Sequence, residues 1–282
     1  MRLGGYVFYN GTNPEEYALA HVTKGFKAAV CPGWLSADKP DEIEAFKIAM
    51  KKHDIRIAEV GAWCNPMDPN PEVAEKNIQY MIERLRLAEA LEADTCVNIL
   101  GSKNKDCWDG PCREGYSEEF FNEAVAVMQR VIDAVNPVHT KLSFEMMPFY
   151  FLDGPEEYLR FLEAVNRPAT GVHLDICNTM NHPRRLYSNT EFIRHTFELL
   201  GEHVVTLHLK DIRLKPNSGV AEFEEVLIGE GDMDYITLLT EINKLSADIP
   251  AMLEHLETEE EYDRAAAAVR KFESVLERCN SK

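Results

Sequence analysis

The feature that most constrains this chain is an eightfold alternation, in which short apolar and β-branched runs recur and each is followed by a segment with helical hydrophobic spacing. The runs end at or span residues 6–9, 27–31, 55–60, 95–100, 142–146, 171–176, 204–212 and 249–255. Between them, helices are expected at 14–22, 40–53 and 71–91, then from Ser117, from Pro155, over 189–200, around Tyr235 and from Thr258. Ile78, Met81, Ile82 and Leu85 form an i, i+3, i+4, i+7 stripe, the face that such a helix buries. Thr258 with Glu261 three residues on is a capping-box pattern for the last helix. Strict strand–helix alternation implies a parallel sheet with right-handed crossovers, and eight units close a (β/α)8 barrel. An open doubly wound sheet is the competing architecture, but no turn carries a G-x-G-x-x-G or Walker A pattern.

The length of 282 residues suits one such barrel, so residues 1–282 are read as a single α/β domain. An apolar content of 45% and a charged content of 28% are those of a soluble globular chain. No run approaches the roughly 18 apolar residues of a membrane span, and the first residues lack an apolar leader segment. A cytoplasmic protein is the expectation. The net charge of −18, with no large basic cluster, argues against a nucleic-acid partner. Seven cysteines, odd in number and without a C-x-x-C pair, are read as free thiols in a reducing compartment.

In a barrel the downstream ends of the strands converge, so side chains far apart in sequence can meet there. Four such ends carry metal-ligand chemistry: Glu145 in Ser-Phe-Glu-Met-Met-Pro, Asp175 in Val-His-Leu-Asp-Ile-Cys-Asn, His208 in Thr-Leu-His-Leu-Lys-Asp, and Glu254 in Met-Leu-Glu-His-Leu. Any one of them alone would be read as a member of an ion pair, but three carboxylates brought together repel unless a cation neutralises them. The set is oxygen-rich with one imidazole, which suits Mn²⁺, Mg²⁺ or Co²⁺. A metal on a carbonyl and its neighbouring hydroxyl stabilises an enediolate, and carboxylates on both faces of the carbon can act as base and acid.

Other features are weighed beside these four. Trp63 and Trp108 can stack on a sugar or simply fill the barrel mouth. The long 101–116 connection has the length of a functional or disordered loop. Residues 229–234 are Gly-rich but carry Glu230, Asp232 and Asp234, which would repel a phosphate, so an uncharged substrate is favoured. His173 is read as a deeper supporting group or core residue, and His255 as structural, because strand alternation points it away from Glu254. His182, Arg184 and Arg185 are assigned to the solvated surface.

The motifs Phe144-Glu145-Met146, His173-Leu174-Asp175, His208-Leu209-Lys210-Asp211 and Ile228 to Asp234, with Ala58-Glu59-Val60-Gly61 upstream, resemble those of the xylose isomerase-like TIM-barrel superfamily, in its sugar phosphate isomerase/epimerase branch. The resemblance to the ketose 3-epimerases of that superfamily implies one divalent metal, with Mn²⁺ favoured, held by Glu145, Asp175, His208 and Glu254. It also implies that Glu145 and Glu254 exchange protons with the substrate. One departure is Asn178, where the 3-epimerases have a histidine that reaches the substrate; asparagine carries no charge, so their ketose specificity is not transferred. Lys210 and Asp211 are a second distinguishing mark, because the branch this chain resembles includes enzymes that act on keto-inositols and 3-keto-glycosides by elimination. Asn178, Lys210, Asp211 and Trp63 are therefore the candidate substrate contacts.

The expected function is a metal-dependent sugar isomerase or epimerase, with a lyase on a keto-inositol or 3-keto-sugar as the alternative. A barrel that has lost catalysis and binds carbohydrate or serves as a scaffold is a third reading, opposed by the intact Glu145 and Glu254. An apurinic-site endonuclease is disfavoured by the acidic charge and by too few histidines for three zinc ions. The partner expected is a small sugar, with no nucleic acid and no membrane. Such barrels also pair through the loops over the active site, so a homo-oligomer is a family expectation.

Overall fold

A computed structural model describes residues 1–217 and 219–280. The elements in order are β1 (Arg2–Gly5), α1 (Pro14–Lys24), β2 (Ala28–Val30), α2 (Pro40–Lys52), β3 (Arg56–Gly61), α3 (Pro71–Leu91), β4 (Thr95–Asn98) and α4 (Glu118–Val135). They continue with β5 (Lys141–Glu145), α5 (Pro155–Val165), β6 (Thr170–Leu174), α6 (Pro183–Tyr187), α7 (Asn189–Leu200) and β7 (Val204–Leu209). The last are β8 (Asp211–Leu214), β9 (Phe223–Val226), α8 (Tyr235–Leu245), β10 (Pro250–Leu253) and α9 (Glu259–Asn280). Eight strands close in the order β1-β10-β7-β6-β5-β4-β3-β2, all parallel, while β8 and β9 form a separate antiparallel ribbon. This is the (β/α)8 TIM barrel expected from the alternation.

Helix boundaries follow local chemistry. Asn13 caps α1 by accepting from the Glu15 and Glu16 N–H groups, with Pro14 in the first turn and Gly25 ending the helix in the left-handed region. Asn70, Ser117 and Asp234 cap α3, α4 and α8 in the same way. The capping box at α9 forms: Thr258 Oγ1 accepts from the Glu261 N–H, and the Glu261 carboxylate accepts from the Thr258 N–H. The seven cysteines are free thiols. No described helix is long and apolar enough to cross a membrane.

Three expectations about elements are corrected. The first strand lies at Arg2–Gly5, and the aromatic run 6–9 sits beyond its end. A weak strand former is placed in the barrel because only Gly allows the approach: a Cβ on Gly4 would stand 2.4 Å from Met252 Sδ and 2.5 Å from the Ala28 carbonyl oxygen. The apolar run 204–212 is not one strand. It stops at Leu209, and Asp211 starts the ribbon with β9, because Asp211–Leu214 pairs with Phe223–Val226 instead of continuing beside β10. Lastly, the loop after β6 holds the short helix α6, capped by His182, whose Nδ1 accepts from the Arg184 N–H.

Candidate metal centre

Glu145 is the last residue of β5, Asp175 follows β6, His208 is next to last in β7 and Glu254 follows β10. The register sets Glu145 beside His173 and Met252 beside His208, so neighbouring strands deliver these side chains to one end of the barrel. One ligand-type atom from each of the four lies within 4.8 Å of all the others. His208 Nδ1 stands 2.9 Å from Glu254 Oε2, 3.2 Å from Glu145 Oε1 and 3.9 Å from Asp175 Oδ2. Glu145, Asp175 and His208 are buried and Glu254 is half-buried.

Lys210 enters the same cluster. Its ammonium lies 2.8 Å from Asp175 Oδ2 and 2.8 Å from Glu254 Oε2, and 3.8 Å from Glu145 Oε1. The charges perturb one another strongly. Burial pushes the Glu145 carboxyl up to about 7, reinforced by repulsion from Glu254. Burial acts in the same direction on Glu254, but His208 and Lys210 outweigh it and hold that carboxyl well below its usual range. His208 and Lys210 are both raised well above their ordinary values: burial opposes this, and the surrounding carboxylates overcome it.

Whether a divalent cation fits these residues is decided by their charge balance. Asp175 Oδ2 and Glu254 Oε2 are buried and share the Lys210 ammonium at 2.8 Å, and His208 Nδ1 stands 2.9 Å from Glu254 Oε2. Three carboxylates thus face one place with only the Lys210 ammonium and the His208 ring to oppose their charge. A hard divalent ion supplies what that set lacks.

Among the expected substrate contacts, Asn178 is brought to the cluster. Its amide donates to Glu145 Oε1 at 2.9 Å and to the Met146 carbonyl, while its backbone N–H donates to Asp175 Oδ1. Trp63, exposed by 43%, lines a cleft of about 510 Å³ together with Tyr6, Phe8, Glu59, His208 and Glu254. Asp211 is different. Its buried carboxylate accepts from the backbone N–H groups of Ile212, Gly229, Gly231 and Met233, so it shapes the loop and does not face the cluster. A Cβ on Gly231 would stand 2.1 Å from Asp211 Oδ1, which is why that loop needs glycine there.

Two residues at the site escaped the sequence reading as candidates. Glu59, in β3, is 2% exposed and lies 3.4 Å from His208 Nε2. Its signal was a carboxylate inside the apolar run 55–60, the same kind of signal that marked Glu145. His255 was set aside by strand alternation, but its φ of +56° puts it in the left-handed region. Its Nδ1 therefore meets Glu225 at 2.9 Å and Lys210 Nζ at 3.4 Å. His173 is fully buried, with its ring centroid 4.0 Å from that of His208 and Nδ1 2.6 Å from Thr206 Oγ1. Arg185 braces the loop by donating to the Asp153 and Thr179 carbonyls.

Comparison with known proteins agrees with this architecture. No curated protein matches the sequence. Among solved structures, a D-psicose 3-epimerase from Clostridium cellulolyticum H10, determined with D-tagatose, superimposes with a TM-score of 0.69 at 16% identity, covering 98% of this chain and 99% of its own. The probable 3-DHS dehydratase AsbF of Bacillus anthracis gives 0.69 at 16% identity over 95% and 97% of the two chains. A Mycobacterium smegmatis barrel in complex with magnesium gives 0.66 at 16% identity over 93% and 87%. At these identities the likeness is one of fold. The family profile described as xylose isomerase-like TIM barrel matches residues 22–272, nearly the whole chain, and the protein belongs to that family.

Proposed function

We propose that this chain is a divalent-metal-dependent sugar isomerase or epimerase of the sugar phosphate isomerase/epimerase branch, acting on the carbon next to a carbonyl. The observation that carries the reading is the convergence of Glu145, Asp175, His208 and Glu254 from four successive barrel strands, which crowds three carboxylates around one imidazole and one ammonium. These four residues would hold the ion, with Mn²⁺ favoured and Mg²⁺ or Co²⁺ as alternatives. The ion supplies polarisation of the sugar carbonyl and its neighbouring hydroxyl.

The protein's own residues account for proton movement. Glu254, held ionised, is suited to take the proton on Oε1, leaving the cluster-facing Oε2 to the ion, and Glu145, pushed towards neutrality, is suited to return one from Oε2, leaving Oε1 to the cluster. Asn178 fixes the Glu145 carboxylate through the 2.9 Å amide contact. Trp63 offers an aromatic face for the apolar side of a sugar ring. A lyase on a keto-inositol or 3-keto-sugar is the second reading, favoured by Lys210, a buried ammonium beside Glu254 able to protonate a departing hydroxyl.

The deciding experiment incubates Mn²⁺-loaded protein with a panel of ketoses and keto-inositols in deuterated water. Deuterium on the carbon beside the carbonyl, with an epimer or isomer as product, is expected; a dehydrated product selects the lyase. Full turnover by metal-free protein, or no exchange with any member of the panel, overturns the proposal.

A further inference from the structure

Glu59 sits beneath the metal centre on a strand that contributes none of its four ligand residues. It is 2% exposed, and its Oε1 has no hydrogen-bond partner among the described residues. Its other oxygen, Oε2, meets His208 Nε2 at 3.4 Å, and the nearest further basic group, His173 Nδ1, stands 3.7 Å from Oε1. That second histidine nitrogen is already engaged with Thr206 Oγ1 at 2.6 Å. A buried carboxylate so thinly partnered costs stability, since desolvating a charge takes several kcal/mol unless hydrogen bonds offset it. It is a poor stabilising device.

Its geometry against His208 suggests another use. Nδ1 of that ring faces Glu254, Glu145 and Asp175, while Nε2 faces Glu59 on the opposite side. A neutral imidazole has one lone pair and one N–H, and it offers the lone pair to an ion only from the nitrogen without the proton. For Nδ1 to serve the cluster, the ring proton must sit on Nε2, and Glu59 Oε2 is the acceptor placed there. His173, packed edge-on with its centroid 4.0 Å away, restrains the ring from the side.

Glu59, His173 and His208 also lie close enough together to suggest a second ion site. A neutral imidazole cannot fill both: an ion at that group needs His208 Nε2 unprotonated, the first centre needs Nδ1 unprotonated, and meeting both demands would take a doubly deprotonated imidazolate beside the Glu59 carboxylate.

We infer that Glu59 is a positioning residue that holds the Nε2–H tautomer and the orientation of His208, so that Nδ1 is presented to a divalent cation. The inference rests on the metal-centre reading given above. Groups of this kind behind a ligating histidine typically change metal affinity by about 10- to 100-fold.

The test compares wild type, Glu59→Gln and Glu59→Ala by Mg²⁺ and Mn²⁺ titration and by ¹⁵N NMR of histidine-labelled protein loaded with Mg²⁺. In wild type the His208 signals should show a protonated Nε2 and a bare Nδ1. Glu59→Ala should bind Mn²⁺ about 10- to 100-fold more weakly and lose the single tautomer. Glu59→Gln, whose amide oxygen still accepts from Nε2–H, should keep the tautomer and recover part of the affinity. An unprotonated Nε2 in loaded wild type overturns the inference without any variant, so a misfolded variant does not rescue it. Two ions per chain, or wild-type affinity and tautomer in Glu59→Ala, also overturn it. A wild type that binds no divalent cation removes the metal centre itself, and the inference falls with it.

Discussion

The two ends of the barrel handle charge in opposite ways. At the end where the strands begin, a cleft of about 710 Å³ is lined by Arg2, Lys47, Asp54, Arg56 and Glu92 among others. There the charges are paired near solvent: Arg2 with Asp54 at 2.9 Å and Asp248 at 2.8 Å, Lys47 with Glu92 at 2.6 Å, and Arg56 with Asp94. At the other end the clefts beside the four candidate ligands are smaller, about 510 and 290 Å³, yet three carboxylates crowd one another there around the buried Lys210. The size of a void therefore does not locate chemistry here. Crowded buried charge is the better guide to the candidate site, because desolvating it costs stability. The same division between a chemical and a stabilising face is general for this fold.

Substitutions at the two ends should differ accordingly, most of all for Asp175. Replacing it with alanine removes one of the proposed ligands, and Mn²⁺ titration should show binding weakened by more than about 100-fold, beyond the range of a residue that only supports a ligand. Unchanged affinity would erase the distinction between the ends. Asp211 stands at the chemical end but is assigned a structural task. Asp211→Ala strands four backbone N–H groups around 212 and 229–233, and urea unfolding should show a loss of about 2–4 kcal/mol, with Mn²⁺ affinity nearly intact. A large loss of metal binding with normal stability would return Asp211 to the active site.

The smallest effect is expected at the opposite end. Arg2→Ala should shift the melting temperature by about 2 °C or less, as exposed ion pairs usually do. The Arg2 guanidinium, with help from Lys27, holds the Asp54 carboxyl below its ordinary value. A depressed carboxyl contributes stability above its unfolded pKa and loses it as the pH falls through the folded one. The difference between Arg2→Ala and wild type should therefore persist at neutral pH and fade below about pH 4. A loss several times larger, persisting in acid, would show that this end does more than pair surface charges.

Much of the candidate site was legible because ionisable residues stand out in apolar runs: Glu145, Asp175, His208 and Glu254 each interrupt or end one. The capping box at Thr258 was legible for a similar reason, as its two hydrogen bonds span only three residues. Glu59 carried the same signal but was counted as part of a resemblance, and what it touches depends on a strand far away in sequence. His255 was misread because one left-handed residue breaks the alternation on which the reading relied. Asp211, expected beside Lys210 as a substrate contact, turns to the 229–233 loop because Lys210 lies between β7 and β8, where the chain leaves the barrel sheet.

By itself, the sequence determined the alternation, the eight strands and the positions of the four ligand-type residues, since hydrophobic period and capping act over a few residues. The tertiary structure decided where each run stops, which face a residue takes once a turn intervenes, and which charges share one buried space. Those outcomes depend on strand closure and on pairings such as Asp211 with residues 229–233 or Glu59 with His208, which no local pattern encodes.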